Sequence, residues 1–215
     1  MPRVRVSILS AGTILLLLAG LLFFSRPDTA FPASHIPVPG DPISPEDGLL
    51  IQSGDFILRR GNGLLSSLIV QTLGDPHGFS HAGILYADED GSWYVIHSVS
   101  RGLSEIDGVQ RERLESFTRK SVLFSTAVVR ARVRPEIRQE MVRRAQACLA
   151  EACPFDREFL LGGSAIYCTE LLWRVLPPDI RENSMIYQGP AGVIRFESFF
   201  DADYYDVVFD YRTRM

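Results

Sequence analysis

Cysteine is scarce in this chain, with three in 215 residues, Cys148, Cys153 and Cys168. So few, and an odd number, exclude a disulfide framework and leave at least one thiol free or joined to another molecule. No C-x-x-C pair and no zinc-cluster spacing occurs. Positive charge is also in deficit. The formal net charge is −4, and setting aside Arg3 and Arg5 leaves 20 basic against 26 acidic groups, or −6. That balance excludes the basic footprint of a nucleic-acid binder. No internal repeat is visible. The apolar fraction of 46% and charged fraction of 22% are those of a folded chain, and the length suits one core with a tail.

What the chain does have comes first at its start. Arg3 and Arg5 precede VSILSAGTILLLLAGLLFFS, an uncharged run from Val6 to Ser25 long enough to cross a bilayer as a helix. Residues 1–25 therefore read as a signal anchor or signal peptide. The anchor is favoured, because the best cleavage candidate, ending at Ala30, puts Asp28 at the −3 position. The positive-inside rule then places the rest of the chain on the extracytoplasmic side, with the periplasm the compartment expected. Residues 26–47 hold six prolines in 22 positions and read as an extended spacer reaching at most about 70 Å. The domain proper is expected over 48–215.

Within it, LLIQSGDFILRR is strand-like. GLLSSLIVQTLGDP reads as a helix stopped at Gly74, with Pro76 beyond. Phe79–Val99 forms a hairpin, and VLFSTAVVRARV a further strand. Pro135 opens a helix to about Cys153, with Ile137, Met141, Ala145, Cys148 and Ala152 on one face. Ile166–Leu176 is a last helix stopped by Pro177 and Pro178, and YYDVVFDY a last strand. Antiparallel strands and segregated helices predict an α+β domain, an antiparallel sheet packed on helices.

The hairpin and the last helix hold the chemistry. A three-residue loop Glu89-Asp90-Gly91 pairs Asp88 with Ser92 and Gly83 with His97. His81 then lies diagonal to His97 on the same face, and Gly83 leaves room for the rings. A loop of two or four residues would send the imidazoles to opposite faces. Cys168, Leu171, Leu172 and Val175 share one helical stripe, with Cys168 in the first turn. There the free N–H groups and the helix dipole lower a thiol pKa from about 8.5 toward roughly 4–7, given a neighbouring histidine. Cys168 as nucleophile, His81 as base and His97 as orienter follow the usual triad logic. Simple packing of the cysteine, a Cys148–Cys153 bridge and a zinc site at His77 and His81 stand as alternatives.

SGDFILRR, FSHAGILY, WYVIHSV and YCTELLW resemble, in that order, motifs of the permuted papain-like cysteine hydrolases of the YiiX and YaeF type. That group is a branch of the NlpC cell-wall peptidase superfamily, related to lecithin retinol acyltransferase. The likeness runs from Leu49 to Val175, with Ser80–Gly83 and Tyr167–Leu171 its most specific pieces. It implies a circularly permuted papain-like (NlpC-type) fold, Cys168 as nucleophile, His81 as base and His97 at the third polar position. Tyr167, Ser80 and Glu170 fall in the substrate or oxyanion neighbourhood. YiiX-like members often carry glutamate where His97 stands, whereas the acyltransferase relatives commonly carry histidine. The implied activity is an amidase or peptidase working through an acyl-thioester, with no cofactor and no metal. Peptidoglycan peptides are the first substrate class expected and acyl lipids or N-acyl amides the second. A non-catalytic binding module is the rival of another class.

Overall fold

The structure is a computed structural model that describes residues 40–188 and 192–214. The expected membrane span and residues 26–39 of the spacer lie outside the described residues. No helix among the described residues is long and apolar enough to cross a membrane.

Residues 40–47, expected to be spacer, pack onto the folded domain. Asp41 is buried and accepts the backbone N–H groups of Phe124, Ser125 and Thr126 at 3.0, 3.0 and 2.9 Å. Ser44 caps a single helical turn, α1 (Pro45–Gly48), by accepting from the Asp47 N–H, and its own N–H donates to the Tyr211 hydroxyl. Asp47 is paired with Arg214 at 2.7 and 2.8 Å. Proline marks where this stretch is extended; its two aspartates decide that it docks.

After a turn at Gly54, where φ is 93°, the chain enters β1 (Phe56–Gly61). Asp55, fully buried between them, is gripped by Arg130 through two bonds of 2.7 Å. Helix α2 (Leu64–Leu73) follows and ends at Gly74 in the left-handed conformation, as the Gly-x-Pro signal predicts. Strands β2 (His81–Ala87) and β3 (Trp93–Val99) form the hairpin. Then come β4 (Gly108–Arg113), the short helix α3 (Leu114–Arg119) and the long β5 (Ser121–Ala131). Helices α4 (Pro135–Ala150), α5 (Cys168–Val175) and α6 (Pro178–Asn183) come next. A two-residue ladder of β6 (Tyr187–Gln188) with β7 (Val193–Ile194) precedes β8 (Tyr205–Asp210).

Six strands make one antiparallel sheet in the order β4-β3-β2-β1-β5-β8. Side chains alternate across it. On one face Phe56, Leu58, Ile84 and Ile96 meet Met141 of α4 and Leu171 and Leu172 of α5 in the main core. On the other, Ile57, Leu85, Val95 and Val128 are covered by Leu114 and Phe117 of α3, by Ile51 and by Tyr211. The architecture is α+β. His81 and His97 have the parity of Leu85 and Val95, so both belong to the Phe117 face.

The hairpin register is the one the loop length dictates. Asp88 N–H donates to Ser92 at 2.9 Å, Gly91 closes the loop at φ 80°, and the ladder pairs Ile84 with Ile96. Gly83 therefore lies opposite His97, where a Cβ would stand 2.4 Å from Val95 Cγ1, 2.9 Å from Ile96 O and 3.1 Å from His97 Cβ. Gly83→Val should thus push β2 from β3 and lower stability by about 1–3 kcal/mol. Chemical denaturation checks this, and a midpoint equal to that of the unaltered protein would contradict it.

Candidate active site

Cys168 is the first residue of α5, capped on its N-terminal side by Tyr167 in an extended conformation without a side-chain cap. The first N–H groups of the helix are therefore available to the cavity in front of it. That cavity, about 270 Å³, is lined by Cys168, His81, His97, Ser80 and Tyr167 together with Arg59, Gln110 and Lys120. Its remaining wall is largely apolar, including Leu65, Ile69, Leu73, Phe155, Phe159 and Ile194.

His81 opens β2 and is half-buried, while His97 is buried in β3. His81 Nε2 and His97 Nδ1 are 2.8 Å apart, with the rings nearly perpendicular at 84°. Phe117 stacks on His81 and meets His97 edge-on, which fixes both rings from one side. The other nitrogen of His97, Nε2, lies 3.5 Å from Glu112 Oε2, without the geometry of a hydrogen bond. Glu112 is held in turn by Lys120 at 2.6 Å and by the Ser116 hydroxyl.

The direction of this row follows from its ends. A carboxylate beside His97 Nε2 favours the proton on that nitrogen, leaving Nδ1 to accept. His81 then carries its proton on Nε2 and donates it to His97. His81 Nδ1 remains as the basic atom, with no partner among the described residues. It is the nitrogen that can take a proton from a group in the cavity.

Burial dominates the titration of these groups. It pushes the Cys168 thiol up to about 11, although the N–H groups of Ala82, Thr169 and Cys168 itself, and the Arg59 cation, favour the anion. It pushes His97 down to about 3 against the pull of Glu112, and holds His81 well below its usual 6.5, helped by Arg59, His97 and Lys120. For Glu112 burial works the other way, yet the bonds from Lys120 and Ser116 keep its carboxyl below the ordinary range. The resting site is thus a neutral thiol and two neutral imidazoles lining one cavity. The lowered thiol pKa expected from the helix terminus is not found, because desolvation of the sulfur outweighs a partial dipole charge.

Ser80 and Tyr167 hold the site's walls. Ser80 Oγ accepts the Gly61 N–H at 2.9 Å, and the Tyr167 hydroxyl accepts that of Ile194 at 3.2 Å. Thr169 also donates to the Ile194 carbonyl, so the stretch with Val193, Ile194 and Phe196 is a pinned wall of the cavity. Glu170 is not in the substrate neighbourhood. Two positions on from Cys168, it points about 200° around the helix. There it is fully buried, accepting from the Gly162 N–H and paired with Arg174 at 2.9 Å.

Two residues of the site were not anticipated. Arg59 pairs with His81 across β1 and β2, is 8% exposed, and lies over the Phe117 ring at 4.5 Å. Burial lowers its pKa to about 10, and its Nε has no hydrogen-bond partner. Glu112 is the other. The alternation of Gln110 and Glu112 on one face of a strand was the only signal for it in the sequence.

No protein-family profile and no curated protein matches this chain. A solved structure does, the metalloprotein YiiX from Escherichia coli O157:H7, with a TM-score of 0.57. The alignment covers 74% of this chain and 97% of YiiX at 19% identity. This chain shares the fold of YiiX. Whether its residues could hold a metal of their own is a question of geometry. Among the described residues no three His, Cys, Asp or Glu side chains are grouped to do so. The inner nitrogens of His81 and His97 are hydrogen-bonded to each other at 2.8 Å, so each is engaged by the other ring. His77 packs against Phe200 with ring centroids 4.4 Å apart and is not hydrogen-bonded to His81. Among the described residues the donors present make no set of three for a metal.

The thiol pKa yields a measurable pH profile. Alkylation of Cys168 by iodoacetamide should climb about tenfold per pH unit from neutrality and level off only near pH 11. Arg59→Met, which removes a cation that favours the anion, should move the plateau higher still. A plateau below pH 8 would contradict the burial argument.

Proposed function

We propose that this protein is a cysteine hydrolase that cleaves an amide or ester through an acyl-thioester at Cys168. The observation that carries the reading is the cavity shared by Cys168, His81 and His97, with Glu112 behind His97 at the far end of the row. His81 preceding Cys168 in the chain suits a circularly permuted papain-like, NlpC-type arrangement, and the fold likeness to YiiX supports it.

In this mechanism the Cys168 proton passes to His81 Nδ1 as the sulfur attacks the substrate carbonyl carbon. Because the pair is neutral at rest, proton transfer and attack occur together. The tetrahedral oxyanion meets the N–H groups at the start of α5, with the Arg59 cation nearby. His81, now an imidazolium, is stabilised through its bond to His97 and the carboxylate beyond. It returns the proton to the leaving amine or alkoxide, and the acyl group stays on sulfur. Water then gives a proton to His81 and attacks the thioester, releasing the acid and restoring the thiol.

The apolar cavity wall favours an acyl group over the polar stem peptides of peptidoglycan, which were the first expectation. We therefore propose a lipid or N-acyl substrate, on an enzyme held to the membrane by its N-terminal span and facing the extracytoplasmic side. Burial of the thiol favours the rival binding module, since it pushes the Cys168 pKa up and disfavours the reactive thiolate.

Turnover separates the two. With N-acyl amides as substrates, Cys168→Ala should remove activity and leave the fold intact, and intact-mass spectrometry of the unaltered protein should show a hydroxylamine-sensitive acyl adduct. Glu112→Gln should lower kcat by about 10–100-fold with KM nearly unchanged, as it weakens only the orienting end of the row. Equal activity of Cys168→Ala would remove the mechanism.

A further inference from the structure

We propose that the rim of the cavity docks on the lipid bilayer, so that an acyl lipid enters the site directly from the membrane; this rests on the acyl-hydrolase reading above. The starting observation is a distortion of β5. Between the pairs Arg59↔Thr126 and Gly61↔Ser121, the single residue Arg60 of β1 faces residues 122–125 of β5. The surplus is thrown outward as a bulge in which Val122, Leu123 and Phe124 are all exposed, the last by 50%. Phe124 has φ 54°, a left-handed conformation unfavourable for an aromatic residue. It persists because Asp41, itself buried, takes the N–H groups of Phe124, Ser125 and Thr126. The fold thus holds three large apolar side chains in water by design of its hydrogen bonds.

The bulge adjoins α2. The Asn62 N–H donates to Lys120 O at 3.2 Å, which joins the start of the bulge to the entrance of the helix. From Gly61 to Gly74 there is no charged residue, and α2 has no buried residue. One side of α2, with Leu65, Ile69 and Leu73, lines the cavity; Leu64 and Leu68 face outward, Leu64 with 87% exposure. Leu103, across the cavity, is also exposed. Exposed apolar side chains thus stand on the bulge, on the outer side of the neighbouring α2 and at Leu103 by the cavity. Surfaces of this kind mark a protein or membrane contact.

The path of the chain favours the membrane. Asp41, which sets the bulge, is where the N-terminal tether joins the fold. Only residues 26–39 separate Gly40 from the uncharged run Val6–Ser25, fourteen positions that span at most about 50 Å when extended. The bilayer expected at the far end of that tether is therefore within reach of this face. Arg60 and Arg119 border the bulge and suit anionic headgroups.

The full chain reconstituted in vesicles of phosphatidylcholine and phosphatidylglycerol tests this. Leu64→Trp, Leu123→Trp and, as a control on the outer side of α4, Gln146→Trp are each compared with the unaltered protein. Bromine-labelled acyl chains should quench the added fluorescence at the first two positions at least about twofold more than at the third. Equal quenching at all three would overturn docking. In the double variant Leu64→Glu/Leu123→Glu, hydrolysis of an N-acyl lipid embedded in the vesicles should fall at least about tenfold. Hydrolysis of a water-soluble short-chain ester should be unchanged, since neither residue lines the cavity. Undiminished hydrolysis of the embedded lipid would also overturn docking. Failure of the unaltered chain to hydrolyse either substrate would instead refute the hydrolase reading, and quenching would still decide the docking face by itself.

Discussion

The contact between two imidazole nitrogens, His81 Nε2 and His97 Nδ1 at 2.8 Å, is what the rest of the site is built around. It exists only because the hairpin has an odd three-residue loop and because a glycine lies opposite His97. A loop one residue shorter would turn one ring into the main core. A side chain at Gly83 would collide with the neighbouring strand before the rings could meet. Phe117 of α3 then seals the pair from one side, and β4 brings Glu112 to its far end.

Enclosure gives this row its character. Every titratable member is shifted first by burial, and the shift always disfavours charge on the thiol and the imidazoles. The site therefore rests neutral, and charge is expected to form only as a substrate reacts. What stands ready for that moment is fixed: the N–H groups around the sulfur, the Arg59 cation with an unpaired Nε, and a carboxylate locked by Lys120 and Ser116. Preorganised groups of this kind are worth most where water is excluded. The same apolar wall that desolvates the thiol suits the acyl chain proposed as substrate, so the proposed preference and the titration share one cause.

Local signals in the sequence carried well where structure is local. Gly91 set the hairpin loop, Gly74 stopped α2, and Pro177 ended α5 within one residue of the expected place. Signals failed where a residue's environment depends on distant chain. Glu112 sits in a run of alternating charges that reads as solvated, and only the pairing of β4 with β3 brings it to His97. Arg59 reads as an ordinary strand-end arginine until β1 pairs with β2 and Phe117 closes over it. The thiol pKa was misjudged for the same reason: a helix terminus is visible in sequence and burial is not. Residues 40–47 looked like more of the proline spacer because the partners of Asp41 and Asp47 lie 83 to 167 positions away.

The central claim is that Glu112 fixes His97, and His97 fixes His81, so that one basic nitrogen is left for Cys168. Nitrogen-15 NMR of the histidine rings near neutral pH tests it most directly. The account predicts both His81 and His97 as neutral rings protonated on Nε2. A His97 protonated on Nδ1, or a charged His81, would contradict it.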